Sequence, residues 1–264
     1  MRRMAAIAVL LATGGPLVLA GCGKGGLTVG TTTARSGTTS TTRAGSGGPA
    51  ARPPAGRDRA LAQAQAFARA VNLSAADVPG FRVSSEHARE PETSAERRLK
   101  PELRRCFGST RETKGLVEAG SKKFERSAGI ASQSVSSEVT VAQRGALTAR
   151  ELGAIRSGHL PACLSHYFDL LLESQKVHGA SIGPVSTKEG SPPAPGMTGS
   201  FGLRFTATIT VHGIRIPFDV DILGFADGPA EVSLSTFGLP QPFPAALEEQ
   251  LFSLLVRRAK AHRV

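Results

Sequence analysis

Two runs of alternating residues near the C-terminus constrain the fold of this chain more than any other feature. Apolar side chains alternate with polar or charged ones over Leu203–Val211 and again over Ile214–Ile222. His212 and Gly213 stand between the runs, and glycine readily adopts the positive φ that a two-residue hairpin turn requires. Pairing Val211 with Ile214 places the apolar residues of both runs on one face, and a slip of one residue would reverse them. The sequence therefore predicts an antiparallel hairpin of fixed register.

The same register makes further predictions along the hairpin. It sets Arg204 opposite Asp221 on the polar face, as a cross-strand ion pair. Pro217 has no N–H to donate, so its nitrogen must face a bulge or a sheet edge. Asp227 and Gly228 then turn the chain into a third strand, which completes a meander. The predicted cross-strand apolar pairs are Ile209 with Ile216, Ala207 with Phe218 and Phe205 with Val220, and the third strand is Ala230–Phe237.

The remaining elements follow from helical spacing, strand alternation and end signals. We predict helices over 58–71 and 101–107, from Ala149 after a capping box of Thr148 and Glu151, over 161–177 with Gly179 as its cap, and over 244–262. We predict strands over 81–85, 123–128 and 133–142, a loop over 86–98, and mostly loop with a brief strand at its start over 183–199. The last helix is expected to pack on the apolar face of the hairpin. The fold class is α+β: an antiparallel β-sheet with a C-terminal three-strand meander, backed by amphipathic helices, after a disordered linker.

The N-terminal segment is typical of an export signal. Arg2 and Arg3 precede an apolar run, Ala5–Leu19, that is too short to cross a bilayer as a stable helix. Leu19–Cys22 (LAGC) resembles the bacterial lipobox, which implies cleavage before Cys22 and diacylation of its thiol. We therefore expect a signal peptide over 1–21 and a palmitate-type lipid anchor at Cys22, which holds the protein on the outer face of the cytoplasmic membrane. The alternative is an ordinary secretory signal with an incidental cysteine.

Residues 22–57 are dominated by Gly, Thr, Ser and Pro and predict a disordered tether, followed by a single extracytoplasmic domain over 58–264. The formal net charge of +11 would suggest a nucleic-acid partner. However, residues 1–57 hold seven basic residues and no acidic one, which leaves only +4 for the domain. The domain also lacks Trp and has one Tyr, so it offers few stacking surfaces for bases. We expect no nucleic-acid partner.

Cys106 and Cys163 remain once Cys22 is lipidated, and an even pair in an oxidising compartment predicts a disulfide. The alternative is a zinc site in which His159 and His166 join the two cysteines. Pro161 disfavours helical geometry at His159, so we expect no metal and no cofactor.

No catalytic motif stands out. Gly179–Gly183 (GASIG) matches a nucleophile elbow around Ser181, with Asp219 or Asp221 and His262 downstream. A true elbow joins a strand to a following helix, whereas here a predicted helix precedes Ser181 and a Pro-rich loop follows it. The chain has no P-loop and no dinucleotide-binding glycine motif. We therefore predict no catalytic residues and no enzyme activity.

The order of elements resembles that of actinobacterial surface lipoproteins and of the extracellular sensor domains of mycobacterial serine/threonine kinases, which are similar to the PsbP/Mog1 sandwich. The residues that support this resemblance are Ala76–Phe81, the pair Cys106 and Cys163, Asp221–Gly228 and the closing helix. This chain has one cysteine pair where the kinase sensors have two, and it has no kinase. The resemblance implies a non-enzymatic binding or sensing module.

Two functions are therefore expected at this point. The first is a membrane-anchored binding or sensing module for a small amphipathic ligand or an envelope protein, which an apolar pocket between sheet and helices would favour. The second is a structural or assembly factor of the cell envelope that makes protein contacts only, which one exposed apolar patch would favour. An exported hydrolase is a third and weaker expectation. The sequence names no ligand-binding residue.

Overall fold

A computed structural model describes residues 55–84, 99, 101–102, 106, 115–142, 160–174 and 180–262. Cys22, the predicted signal and most of the predicted tether lie outside these residues, as do the loop over 86–98 and the helix from Ala149. The described elements are α1 (Ala55–Val71), β1 (Arg82–Val83), β2 (Gly115–Gly120), β3 (Phe124–Ala128), β4 (Ala131–Ala142), α2 (Leu160–Ser174), β5 (Ala180–Ile182), β6 (Ser186–Gly190), β7 (Gly199–Val211), β8 (Ile214–Asp227), β9 (Ala230–Leu239) and α3 (Ala245–Ala261).

The nine strands form one antiparallel sheet in the order β1-β3-β4-β9-β8-β7-β5. β2 also pairs with β4, beside the far end of β3, and β6 pairs with β7, beside the far end of β5. The α+β class and the C-terminal meander β7–β8–β9 are therefore confirmed. The strand at Gly115–Gly120 was not predicted, because its six residues show no clear alternation.

The predicted hairpin register is confirmed at every pair. Val211 lies opposite Ile214, Ile209 opposite Ile216, and Arg204 opposite Asp221. Both turn residues have positive φ, 50° at His212 and 80° at Gly213, as a two-residue type I′ turn requires. The alternation of side chains along two adjacent strands was sufficient to specify this pairing.

Pro217 also lies where its missing N–H costs nothing. The carbonyl of its partner Thr208 accepts a hydrogen bond from the Gly183 N–H at 2.8 Å, so that carbonyl faces β5 rather than β8. The Thr208–Pro217 pair is thus a non-hydrogen-bonded pair, and the Pro217 nitrogen faces away from β7. β9 pairs with β8 only from Asp219 onward, so Pro217 lies beside a free edge, as expected.

The two faces of the sheet support two separate cores. On the first face, α1 and α3 pack over the central strands, and Phe252 of α3 meets Phe225 edge-to-face at a centroid distance of 5.7 Å. On the second face, α2 packs over the hairpin, with Leu164 fully buried and Phe168 edge-to-face on Phe218. We call these the α1/α3 face and the α2 face.

This arrangement corrects the predicted position of the last helix. The apolar face of the hairpin, which includes Leu203, Phe205 and Ile209, packs under α2 and not under α3. α3 covers the opposite face, where Val232 and Leu234 of β9 are fully buried. The prediction failed because the meander has a second apolar surface on the opposite face, formed by Phe225 of β8 and by Ala230, Val232 and Leu234 of β9. The alternation in the hairpin revealed only the first surface.

Candidate functional site

The α1/α3 face is covered only in part. α3 lies over β9 and the adjoining part of β8, and beyond it the side chains of β7, β6 and β5 on this face are at least partly exposed. This uncovered area is lined by five hydroxyl side chains, which we call the hydroxyl strip: Ser181, Ser186, Thr206, Thr208 and Thr210.

The strand register determines the geometry of the hydroxyl strip. Thr206, Thr208 and Thr210 occupy alternate positions of β7, so their side chains point to one face at a spacing of about 7 Å. Ser186 lies directly opposite Thr206 on β6, and Ser181 lies directly opposite Thr210 on β5. Threonine suits this position because its branched Cβ favours strands while its hydroxyl faces water.

Charged side chains stand at both ends of the strip. At the outer end, exposed Arg215 lies opposite Thr210. At the inner end, Thr236, Asp221, Arg204 and Lys188 form one transverse row across β9, β8, β7 and β6. The strip is thus a row of hydroxyls between cations, with the inner end next to α3.

An ion network closes the inner end. Arg204 Nε donates to Asp221 Oδ1 at 2.6 Å, and Arg204 Nη2 lies 3.7 Å from Glu248 Oε2 on α3. Thr236 Oγ1 donates to Glu248 Oε1 at 2.6 Å. Asp221 and Glu248 are both buried, while the Arg204 side chain is 44% exposed. The predicted cross-strand pair is therefore present, but its carboxylate is buried rather than solvated.

Burial sets the protonation of this network. It raises the pKa of Glu248 above its ordinary value, and the hydrogen bond from Thr236 only partly opposes that effect. Burial and the neighbouring Asp221 carboxylate likewise raise the pKa of Asp219. The hydrogen bond to Asp221 raises the pKa of Arg204, so the guanidinium stays charged. The inner end thus combines one charged guanidinium with two carboxyl groups, Asp219 and Glu248, whose pKa values are raised above their ordinary values.

The residues that the sequence analysis considered as metal ligands or as a nucleophile have other positions or roles in the structure. Cys106 and Cys163 are joined in a disulfide with their Cα atoms 5.4 Å apart, so their sulfurs are not metal ligands. His166 is exposed on α2, and His159 lies outside the described residues. No group of three or more His, Cys, Asp or Glu side chains in the described ranges could hold a metal ion.

Ser181 is not at a nucleophile elbow. It lies in the short strand β5, opposite Thr210, and Gly183 continues that pairing by bonding to the Thr208 carbonyl. The local backbone is strand on β7's edge rather than a strand-to-helix turn, so it does not present the Ser181 hydroxyl as a nucleophile elbow does.

A shallow depression of about 380 Å³ lies on the outer side of α3. The depression is open, and four of its five lining residues are polar or charged: Ala246, Glu249, Gln250, Ser253 and Arg257. This depression is not the apolar pocket between sheet and helices that a small amphipathic ligand would favour.

Sequence reasoning did not identify the hydroxyl strip. The three threonines were visible as the polar side of the predicted hairpin. Their partial exposure, however, depends on which face α3 covers and on where α3 ends. The sequence analysis placed α3 on the apolar face of the hairpin, which is the opposite face.

Comparison of the chain with protein-family models, curated proteins and solved structures gives no match. Within the part of the chain that the structure describes, no helix combines the length and apolarity that a membrane span needs.

Proposed function

We propose that this chain is a lipid-anchored extracytoplasmic binding module, held on the outer face of the cytoplasmic membrane through Cys22, and that it acts without catalysis. The observation that supports binding is the hydroxyl strip, a partly exposed group of five hydroxyls with Lys188, Arg204 and Arg215 at its ends. The lipobox-like LAGC motif supports the anchor. The elbow-like motif around Ser181 lies in a strand, which supports a non-enzymatic role.

The hydroxyl strip favours a polar, extended ligand of the envelope. Hydroxyls can both donate and accept hydrogen bonds, and regular spacing along β7 suits a ligand that presents polar groups at intervals. Exposed Lys188 and Arg215 suit negatively charged oxygens at the two ends, whereas Arg204 is already paired with Asp221, and Asp219 lies opposite Thr206. An amphipathic ligand would need an apolar cavity, and the two described cores are instead packed with side chains.

Native mass spectrometry of the full protein purified from its own envelope tests this function. The variant replaces Thr206, Thr208 and Thr210 by valine, which keeps the shape and the strand propensity and removes the hydroxyls. Each lost hydrogen bond is worth about 0.5–1.5 kcal/mol, so the triple variant should bind at least tenfold more weakly, at roughly 1.4 kcal/mol per factor of ten. The matched control is Thr187→Val, because Thr187 lies on β6 but faces the α2 side.

The expected result is a polar mass retained by the native protein and by Thr187→Val, and lost from the triple variant. Retention of the same mass by the triple variant would refute binding at the strip. A native protein that retains no small ligand but copurifies with an envelope protein would favour the assembly-factor function instead.

A further inference from the structure

The side of α3 that points away from the sheet is exposed. α3 packs on the sheet through Leu251, Phe252 and Leu255, which are buried. Residues spaced by three or four positions share one side of a helix, and those on the opposite side of α3 line the shallow depression of about 380 Å³. We call this surface the outer α3 face, and it consists of Ala246, Glu249, Gln250, Ser253, Arg257 and Lys260.

The outer α3 face has a ridge that is low at its centre. Side chains four residues apart form a continuous ridge on a helix, and Glu249, Ser253 and Arg257 have that spacing. The two outer side chains are long and exposed, whereas Ser253 between them is short and half-buried. A short side chain at the centre of a ridge allows another helix to approach closely.

Opposite charges stand at the two ends of this ridge. Among the described residues, neither Glu249 nor Arg257 forms an ion pair. A helix rises 1.5 Å per residue, so each charge lies about 6 Å from Ser253 along the helix axis, in opposite directions. The ridge is therefore complementary in charge to a copy of itself that runs antiparallel.

We propose that the outer α3 face binds a second copy of this chain, in a twofold contact whose axis passes at Ser253. In such a contact, if one residue meets a second residue of the other copy, the second also meets the first. Glu249 then meets Arg257 of the second copy, and Arg257 meets Glu249 of the second copy. Lys260 is set against Ala246 of the second copy, which has no charge, so the antiparallel arrangement brings no like charges together.

The chemistry of the outer α3 face sets the strength of this contact. The side chains on it are polar or small, and exposed ion pairs contribute little individually and are screened by salt. The dimer is therefore weak, depends on protein concentration and dissociates more readily as salt rises. The contact does not involve the hydroxyl strip, which lies on β5, β6 and β7, so the two proposals can fail independently.

Sedimentation equilibrium of the full protein in density-matched detergent micelles measures the dimer. Glu249→Arg alone and Arg257→Glu alone each replace two attractive pairs by two repulsive ones, and should raise the dissociation constant about tenfold or more. The double variant Glu249→Arg with Arg257→Glu exchanges the signs and restores both pairs, so its dissociation constant should return to within about threefold of the native one. The matched control is Glu189→Arg, because Glu189 is exposed on β6.

The proposal expects a native dimer, the same dimer in Glu189→Arg, two weakened single variants and recovery in the double variant. A native protein that stays monomeric overturns the proposal. Single variants that dimerise like the native protein, or a double variant that does not recover, overturn it as well.

Disulfide cross-linking in native membranes tests the position of the axis. Packed helices have axes about 8–10 Å apart, so the two Cα atoms at position 253 would be about 4–5 Å apart, within reach of a disulfide. Two Gln250 residues would be about 9 Å apart along the axes, beyond that reach. Ser253→Cys should therefore cross-link to itself above the background of the native protein, and Gln250→Cys should not. Equal cross-linking of both variants, or a cross-link from Ser253→Cys to a different protein, overturns the proposal.

Discussion

Replacement of Gly224 by alanine tests the packing of the α2 face at one position. Gly224 lies directly opposite Phe201 on the neighbouring strand, and the Phe201 ring lies over the glycine. A methyl group at Gly224 would overlap the Cζ and Cε1 atoms of this ring, which is only 7% exposed. The ring must therefore move out of a buried position if the methyl group is added.

The expected magnitude follows from two opposing effects. Forcing a side chain into a packed core costs about 1–3 kcal/mol. Removing a glycine from a strand returns roughly 0.5–1 kcal/mol, because the unfolded chain loses conformational freedom. Gly224→Ala should thus lower the free energy of unfolding by about 1–2 kcal/mol, measured by urea denaturation with an unchanged m-value.

A double-mutant cycle isolates the cause. With Phe201→Leu in the background, the ring is absent and Gly224→Ala should be neutral or slightly stabilising. The two changes should therefore couple by about 1 kcal/mol or more. Equal costs in both backgrounds, or stabilisation by Gly224→Ala alone, would refute the assigned contact.

Three further predictions concern stability. Replacing both Cys106 and Cys163 by serine should cost about 4 kcal/mol in the chain-entropy model, because the disulfide closes a separation of 57 residues; urea denaturation with and without reductant measures this, and an unchanged midpoint would contradict it. Burial alone would raise the pKa of Asp77, but hydrogen bonds from Arg258 and Ser74 outweigh burial and hold it below 3.8. The ionised Asp77 carboxylate therefore stabilises the fold above about pH 3.8, and this stabilisation is lost as pH falls through the lowered pKa of the folded state. Asp77→Asn should lower the free energy of unfolding by about 1–3 kcal/mol at pH 7 and by less at pH 2–3. An equal loss at both pH values would argue against the ion pair. Gly213→Val should cost at least about 1 kcal/mol, since φ is 80° there, and no change in the thermal midpoint would count against the assigned turn.

The sequence predicted the hairpin well because its register depends on local information. The alternation over β7 and β8 and the glycine at 213 specify the pairing without reference to the rest of the chain. The position of α3 depends on a non-local choice between two faces. Its apolar stripe fits either face, and in the structure it packs with Phe225 and Val232 on the α1/α3 face.

The candidate sites could not be predicted for the same reason. Thr206 and Asp221 were both assigned to the polar side of the hairpin, yet Thr206 is half-buried and Asp221 is 4% exposed. Asp221 lies near α3, where Arg204 binds it and also approaches Glu248, whereas Thr206 lies beyond α3.

The mass of the N-terminal peptide of the protein, extracted from the membrane fraction of its native cells, tests the central proposal most directly. We expect a mature chain that begins at Cys22 and has acyl chains attached to that residue. A chain that retains residues 1–21, or an unmodified Cys22 in a protein recovered from the water-soluble fraction, would contradict the proposed anchor and the location that depends on it.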